Sequence, residues 1–244
     1  MRNLKTEVIT LSRRPFKDRD RLVSALGKHT GRMTLLARGA QKPGGSLSGF
    51  SEPFVYAGVM IARPGEISVV ASCDIRESFP GLKTDLASIG AAYEAARLTE
   101  RISVPGQDSE GLFLTLLSFL YILESKADPA VAGRFFEVGL CRWAGCALNY
   151  RRCPCGRPLG DAAYSRTMGY FVCPACAGGN MLLFSRSLLS YVEALSLCPE
   201  NRVRTLSFPA PARADLKTVL AEHIAYHLDI GPDPFPLPEA FPKS

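Results

Sequence analysis

The sequence predicts an α+β, multidomain protein in which an N-terminal OB-fold-type β-barrel is followed by an α-helical domain carrying a compact four-cysteine module. Three observations predict it. β-Branched residues alternate with polar ones over roughly the first 75 residues, helix-favouring segments replace them beyond Pro80, and two close cysteine pairs stand with seventeen residues between them.

The barrel comes first. The segments EVITLS (7–12), GRMTLLA (31–37), PFVYAGVMIA (53–62) and GEISVVAS (65–72) are apolar and β-branched, separated by Gly and Pro punctuation. Those are strand signals. Four or five short strands in so few residues suit a small antiparallel barrel of the OB type, and an SH3-like barrel fits nearly as well. The polar, glycine-rich stretch 39–49 (GAQKPGGSLSG) is expected as a mobile hairpin connection at the barrel rim.

Charge singles out the same region. The formal net charge is +6, yet residues 1–45 hold eleven Lys or Arg against three acids, while the remaining residues hold 18 bases and 20 acids. Such a region attracts polyanions with steeply salt-dependent affinity; the plainer alternative is a solvated basic face.

Helices follow at 82–102, 109–127 and 129–148. Ser109 with Glu110 is expected to cap the second, and Pro129 to open the third. The longest apolar run, twelve residues at 112–123, is shorter than the roughly 20 needed to span a bilayer and is expected as a buried core helix. A final amphipathic helix at 213–230 carries Leu216, Val219, Leu220, Ile224 and Leu228 on one stripe. The expected organisation is a basic OB-fold-like nucleic-acid-binding domain at 1–80, a helical domain at 81–149 plus 181–230, a zinc-binding insert at 150–180 and a proline-rich tail at 231–244. The N-terminal residues lack the apolar run of a secretory signal, so a cytoplasmic location is the expectation.

Cys153 and Cys155 are one residue apart and Cys173 and Cys176 two. Each pair can present two thiolates to one ion, so the four are expected as a tetrahedral, zinc-ribbon-like site. Four thiolates fill zinc's coordination and leave no open position, which makes the ion structural. Cys146, seven residues before Cys153, is a minor alternative ligand, while Cys73, Cys141 and Cys198 are expected as small core residues. His223 and His227 are four apart, but Glu222 precedes His223 where a metalloprotease needs a glutamate after it. Both are expected on an ordinary helix surface or at a helix end. Gly39, Gly44, Gly45 and Ser46 nearly spell a phosphate-binding loop, but Gly45 stands in the lysine's place. No G-x-S-x-G elbow is present. No enzyme active site is assembled by these motifs.

Four N-terminal motifs then follow one another in order: Asp20-Arg21-Leu22, Thr30-Gly31-Arg32, Ala37-Arg38-Gly39-Ala40-Gln41-Lys42, and Gly49-Phe50 with Pro53-Phe54. With the helical middle and the four-cysteine insert, this resembles the RecO family of recombination mediators over most of the chain. Two positions depart from the family's pattern: the first cysteine pair is C-x-C where C-x-x-C is usual, and Gly27 stands where threonine is common. The resemblance implies an OB-fold, a helical domain and a zinc module. It also implies a non-enzymatic protein that binds single- and double-stranded DNA, anneals complementary strands and, with RecR, helps load RecA onto DNA coated by single-strand-binding protein, in the cytoplasm and at the nucleoid. On that reading Arg13, Arg14, Lys28, Arg32, Arg38 and Lys42 are the expected phosphate contacts, and Phe16, Phe50 and Tyr56 are candidate stacking platforms, each with barrel core as its alternative. A protein-interaction adaptor with a structural zinc and a zinc-dependent hydrolase are the competing classes.

Overall fold

The computed structural model describes residues 3–179 and 181–230, so the tail expected at 231–244 lies outside the described residues. The chain divides into two compact units between Glu124 and Ser125.

In the first unit, β1 (Leu4–Phe16), β2 (Asp20–Gly27), β3 (Gly31–Ala37), β4 (Tyr56–Arg63) and β5 (Ile67–Glu77) close an OB-like barrel in the order β1-β2-β3-β5-β4. Neighbours are antiparallel except β3 and β5, which run parallel through Thr34↔Ile67, Leu35↔Ser68 and Leu36↔Val69. The four patterned segments supply β1, β3, β4 and β5. The fifth strand, β2, reads DRLVSALG and has only Val23 as a β-branched residue, so its pairing on both edges rather than its local preference makes it a strand. Val8, Val23, Leu35, Ala57, Ile61 and Val70 fill the interior.

Because β3 and β4 are not neighbours, the stretch expected as a hairpin connection is a crossover instead. It is built from successive tight turns, in which the N–H groups of Lys42, Gly45 and Ser48 bond the carbonyls of Gly39, Lys42 and Gly45 at 3.0, 3.0 and 2.9 Å. Ala40, Leu47 and Phe50 drop from this polar run into the barrel core, and Phe50 is 0% exposed. Phe50 is therefore core and not a stacking platform.

Two helices complete the unit. α1 (Leu86–Ile102) is capped by the Asp85 carboxylate, which accepts the Ser88 N–H at 2.8 Å. α2 (Glu110–Glu124) buries Phe113, Leu116, Phe119 and Leu120 from the long apolar run. Ser109 does not cap α2: its hydroxyl donates to the Gly27 carbonyl at 2.6 Å and ties the helix to the barrel, while Asp108 faces the Glu110 N–H.

The second unit packs α3 (Pro129–Trp143), α4 (Arg186–Leu197) and α5 (Ala210–His227) with a small sheet of β6 (Ala162–Ser165), β7 (Tyr170–Val172) and β8 (Leu183–Phe184) in the order β7-β6-β8. Pro129 does open α3, beneath an Asp128 carboxylate that accepts the Ala130 N–H at 2.8 Å. Leu216, Val219, Leu220 and Ile224 of the predicted stripe are buried and Leu228 half-buried. His223 is not on the helix surface as expected: it is 1% exposed, because it occupies the same stripe one turn beyond Val219 and hydrogen-bonds Tyr164 of β6 at 2.7 Å. Of the expected helical domain, α1 and α2 lie in the first unit and α3 to α5 in the second.

Replacing Phe50 with alanine should remove about 3–5 kcal/mol of stability through the lost burial and the cavity left behind. Urea unfolding monitored on the variant checks this, and an unchanged midpoint would contradict the core placement.

Candidate nucleic-acid interface and metal centre

β1 and β2 meet in a tight turn with Phe16 opposite Asp20. This tip is fastened to the start of the crossover. The Asp20 carboxylate accepts the Gly39 N–H at 2.8 Å, the Gln41 N–H is donated to the Arg19 carbonyl at 3.0 Å, and the Gln41 side-chain amide is donated to the Asp20 carbonyl at 2.6 Å. Two of the sequence motifs, the one beginning at Asp20 and the one ending at Lys42, are thus two halves of one clasp. Glycine is required at a third: Gly31 has φ +65°, and a Cβ there would overlap the Val104 carbonyl.

The clasp gathers Arg14, Lys17, Arg19, Arg38 and Lys42 at one end of the barrel. All five are exposed, and none has an ion-pair partner among the described residues. Three of them were expected from the sequence; Lys17 and Arg19 were not, because a hairpin tip cannot be placed against a loop twenty residues away without the barrel.

The other three expected cations are committed to protein partners. Arg13 is ion-paired with Glu52, which also holds Arg21 at 2.9 Å. Lys28 faces Glu110 at 3.1 Å and Glu7 at 3.9 Å, and Arg32 donates to the Glu100 carbonyl in the last turn of α1 at 2.7 Å. Lys28 and Arg32 flank the Gly27↔Gly31 end of the β2–β3 pair, whereas Arg38 follows the Arg21↔Ala37 end. Six strand steps separate Arg32 from Arg38, about 20 Å at about 3.3 Å each. The six do not form one patch.

Of the remaining aromatics, Tyr56 is held by Glu7 at 3.0 Å and by the edge of Phe113 at 5.9 Å between ring centres. Phe16 is half-buried at the hairpin tip, with the Lys17 ammonium 5.5 Å from its ring centre. It is the candidate platform beside the free cations.

In the second unit, Cys153, Cys155, Cys173 and Cys176 place their four sulfurs within 4.8 Å of one another. The first knuckle is a turn in which the Gly156 N–H bonds the Cys153 carbonyl at 2.8 Å, with Gly156 at φ +85°. That turn accommodates the one-residue spacing. The second follows β7, with the N–H groups of Cys176 and Ala177 bonding the Cys173 carbonyl at 2.9 and 3.1 Å. Sulfur-to-sulfur distance between knuckles is 3.8 Å for Cys155 and Cys173. A tetrahedral zinc with bonds of about 2.3 Å has edges of about 3.8 Å, so the donor set and spacing fit such an ion. Cys146 is not part of this group; it lies beside Cys141 and His223.

A family model described as Recombination protein O N terminal matches residues 1–79, and one described as Recombination protein O C terminal matches residues 83–234. The chain is similar to the DNA repair protein RecO of Pelotomaculum thermopropionicum, 28% identical over 233 residues that cover 94% of this chain and 91% of the relative. It is also similar to the proteins of that name from Geobacter metallireducens, 31% identical with 93% of each chain covered, and from Roseiflexus sp., 30% identical with 93% of this chain and 82% of the relative covered.

Titration with cobalt(II) should give the intense sulfur-to-metal absorption of a tetrahedral thiolate site at about one ion per chain. Cys173→Ser should abolish it, and retention of that spectrum in the variant would remove the four-cysteine assignment.

Proposed function

The chain belongs to the RecO family of DNA repair proteins, and from that premise we propose that it is a non-enzymatic recombination mediator. It binds single- and double-stranded DNA, anneals complementary strands and, with RecR, assists RecA loading onto DNA covered by single-strand-binding protein. The observation that carries the DNA-binding part is the set of five exposed cations without ion-pair partners at the clasped end of the barrel. No helix among the described residues is long and apolar enough to cross a membrane, and the proposed place of work is the cytoplasm, at the nucleoid when DNA is bound.

The physical argument runs from charge to annealing. Arg14, Lys17, Arg19, Arg38 and Lys42 contact phosphates, releasing counterions and giving affinity without sequence readout. Arg13, Lys28 and Arg32 contribute to the positive field while their heads stay on Glu52, on Glu7 and Glu110, and on the Glu100 carbonyl. Phe16 offers one face to an unpaired base, a contact of about 1–3 kcal/mol that duplex DNA cannot make without unstacking. Two strands lying on the same positive end lose the mutual repulsion that slows pairing, and their base edges remain free to meet.

The residues of the second unit fit a structural zinc. Cys153, Cys155, Cys173 and Cys176 supply all four positions, so the ion crosslinks two knuckles and offers no site for a reacting water. Within this reading the metal maintains the module, and binding is the chain's own work.

The triple variant Arg14→Ala, Arg38→Ala, Lys42→Ala should bind a single-stranded oligonucleotide about 10- to 100-fold more weakly at moderate salt. Its plot of log affinity against log salt should flatten by about 2, from three lost contacts at about 0.7 each. Arg32→Ala should leave that slope nearly unchanged. Fluorescence anisotropy across a salt series reads both, and an unaltered slope in the triple variant would remove this end of the barrel from the DNA path.

A further inference from the structure

α3 ends in a Schellman motif. Gly145 takes φ +77°, its N–H bonds the Arg142 carbonyl at 3.2 Å, and the Cys146 N–H reaches back to the Cys141 carbonyl at 2.9 Å. This geometry brings the side chains of residues 141 and 146 into contact, a place ordinarily taken by two apolar groups. Here both are thiols. Cys141 is 1% exposed, whereas Cys146 is half-buried and reaches solvent.

His223 of α5 completes the group, and its ring lies with both sulfurs inside a 4.8 Å cluster. Two chemistries could use three such side chains: a metal or a reactive thiol pair. The imidazole decides between them. One ring nitrogen is hydrogen-bonded to the Tyr164 hydroxyl at 2.7 Å, and the other faces the Cys146 carbonyl, so the neutral ring donates to the carbonyl and accepts from the hydroxyl. Neither nitrogen is left to ligate a cation, and two sulfurs alone make a poor site.

We propose that Cys141 and Cys146 form a peroxide-oxidisable dithiol, with Cys146 as the attacking sulfur and Cys141 as the resolving one. Exposure assigns the roles, since a peroxide reaches Cys146 first. Hydrogen bonding supports the same order: a hydrogen bond from Cys141 holds the Cys146 thiol below its ordinary range, while the same bond and burial push Cys141 up.

The Cys146 thiolate attacks the O–O bond of a hydroperoxide and takes one oxygen. The other oxygen leaves with its substituent as alkoxide or hydroxide and is protonated. The resulting sulfenic acid is attacked by the Cys141 sulfur; the S–S bond forms, the S–O bond breaks, and water leaves with the Cys141 proton. The two thiols have lost two electrons and the peroxide has gained them. A thiol reductant reverses the step by exchange.

The test uses the full-length, zinc-loaded protein and hydrogen peroxide, followed by alkylation and tryptic mass spectrometry without reductant. Trypsin cuts after Arg142, so the disulfide joins peptide 135–142 to peptide 143–151. The expected result is that linkage, formed about tenfold faster than oxidation of Cys198. In Cys141→Ala, Cys146 should accumulate as a sulfenic acid trapped by dimedone; in Cys146→Ala, Cys141 should stay reduced. Oxidation of Cys146 no faster than that of Cys198 in the unaltered protein would overturn the proposal. So would a second bound zinc that is lost in Cys146→Ala, which would assign the group to a metal.

Discussion

Three residue pairs between β3 and β5 close the barrel, and they run parallel. A parallel pair cannot be joined by a tight turn, so the chain must leave β3, travel across the end of the barrel and return through β4 before β5 can take its place. That crossover is residues 38–55. Its buried anchors, Ala40, Leu47 and Phe50, follow from having to pass over an open barrel end, and its exposed cations, Arg38 just before the first anchor and Lys42 just after it, are left facing outward. The crossover's share of the site proposed to meet DNA, Arg38 and Lys42, is therefore a consequence of closing the barrel, and the β1–β2 hairpin supplies the rest.

Charge separates into two populations by the reach of a few acids. Glu7, Glu52 and Glu110 sit where they can engage Arg76, Arg13 with Arg21, and Lys28; the Glu52 and Glu110 pairs tie the barrel to the crossover and to α2, and the Glu7 pair joins β1 to β5. No acid reaches Arg14, Arg19, Arg38 or Lys42 among the described residues, although Asp20 lies in their midst. Asp20 spends its carboxylate on a backbone N–H at the clasp instead of on a side chain. One acidic residue thus fixes the geometry of the positive end without cancelling it.

Much of this was legible in the sequence, for local reasons. β-Branched runs announced β1, β3, β4 and β5, and the cysteine spacing announced the four-sulfur cluster. β2 escaped notice because DRLVSALG has little intrinsic strand preference and becomes a strand only between two partners. Which cations are free could not be read, because Arg13 and Glu52 are 39 positions apart and Arg32 meets a carbonyl 68 positions away. The burial of Phe50 was hidden by the polar residues around it. His223 could have been found: with Leu216, Val219 and Leu220 it completes an i, i+3, i+4, i+7 stripe on α5. So could the meeting of Cys141 with Cys146, since a glycine just past a helix end predicts contact between the residues either side of it.

The four-sulfur cluster is lopsided. Cys153 and Cys173 pack with Ala163 and Val172, whereas Cys155 and Cys176 are exposed. An ion held there has a dry hemisphere and a wet one. Incoming chelators or competing metals can approach only from the wet side, displacing the two outer sulfurs while the inner two stay fixed by packing. Exchange therefore begins at Cys155 and Cys176, the exposed pair, while all four sulfurs together set how tightly the ion is held at equilibrium.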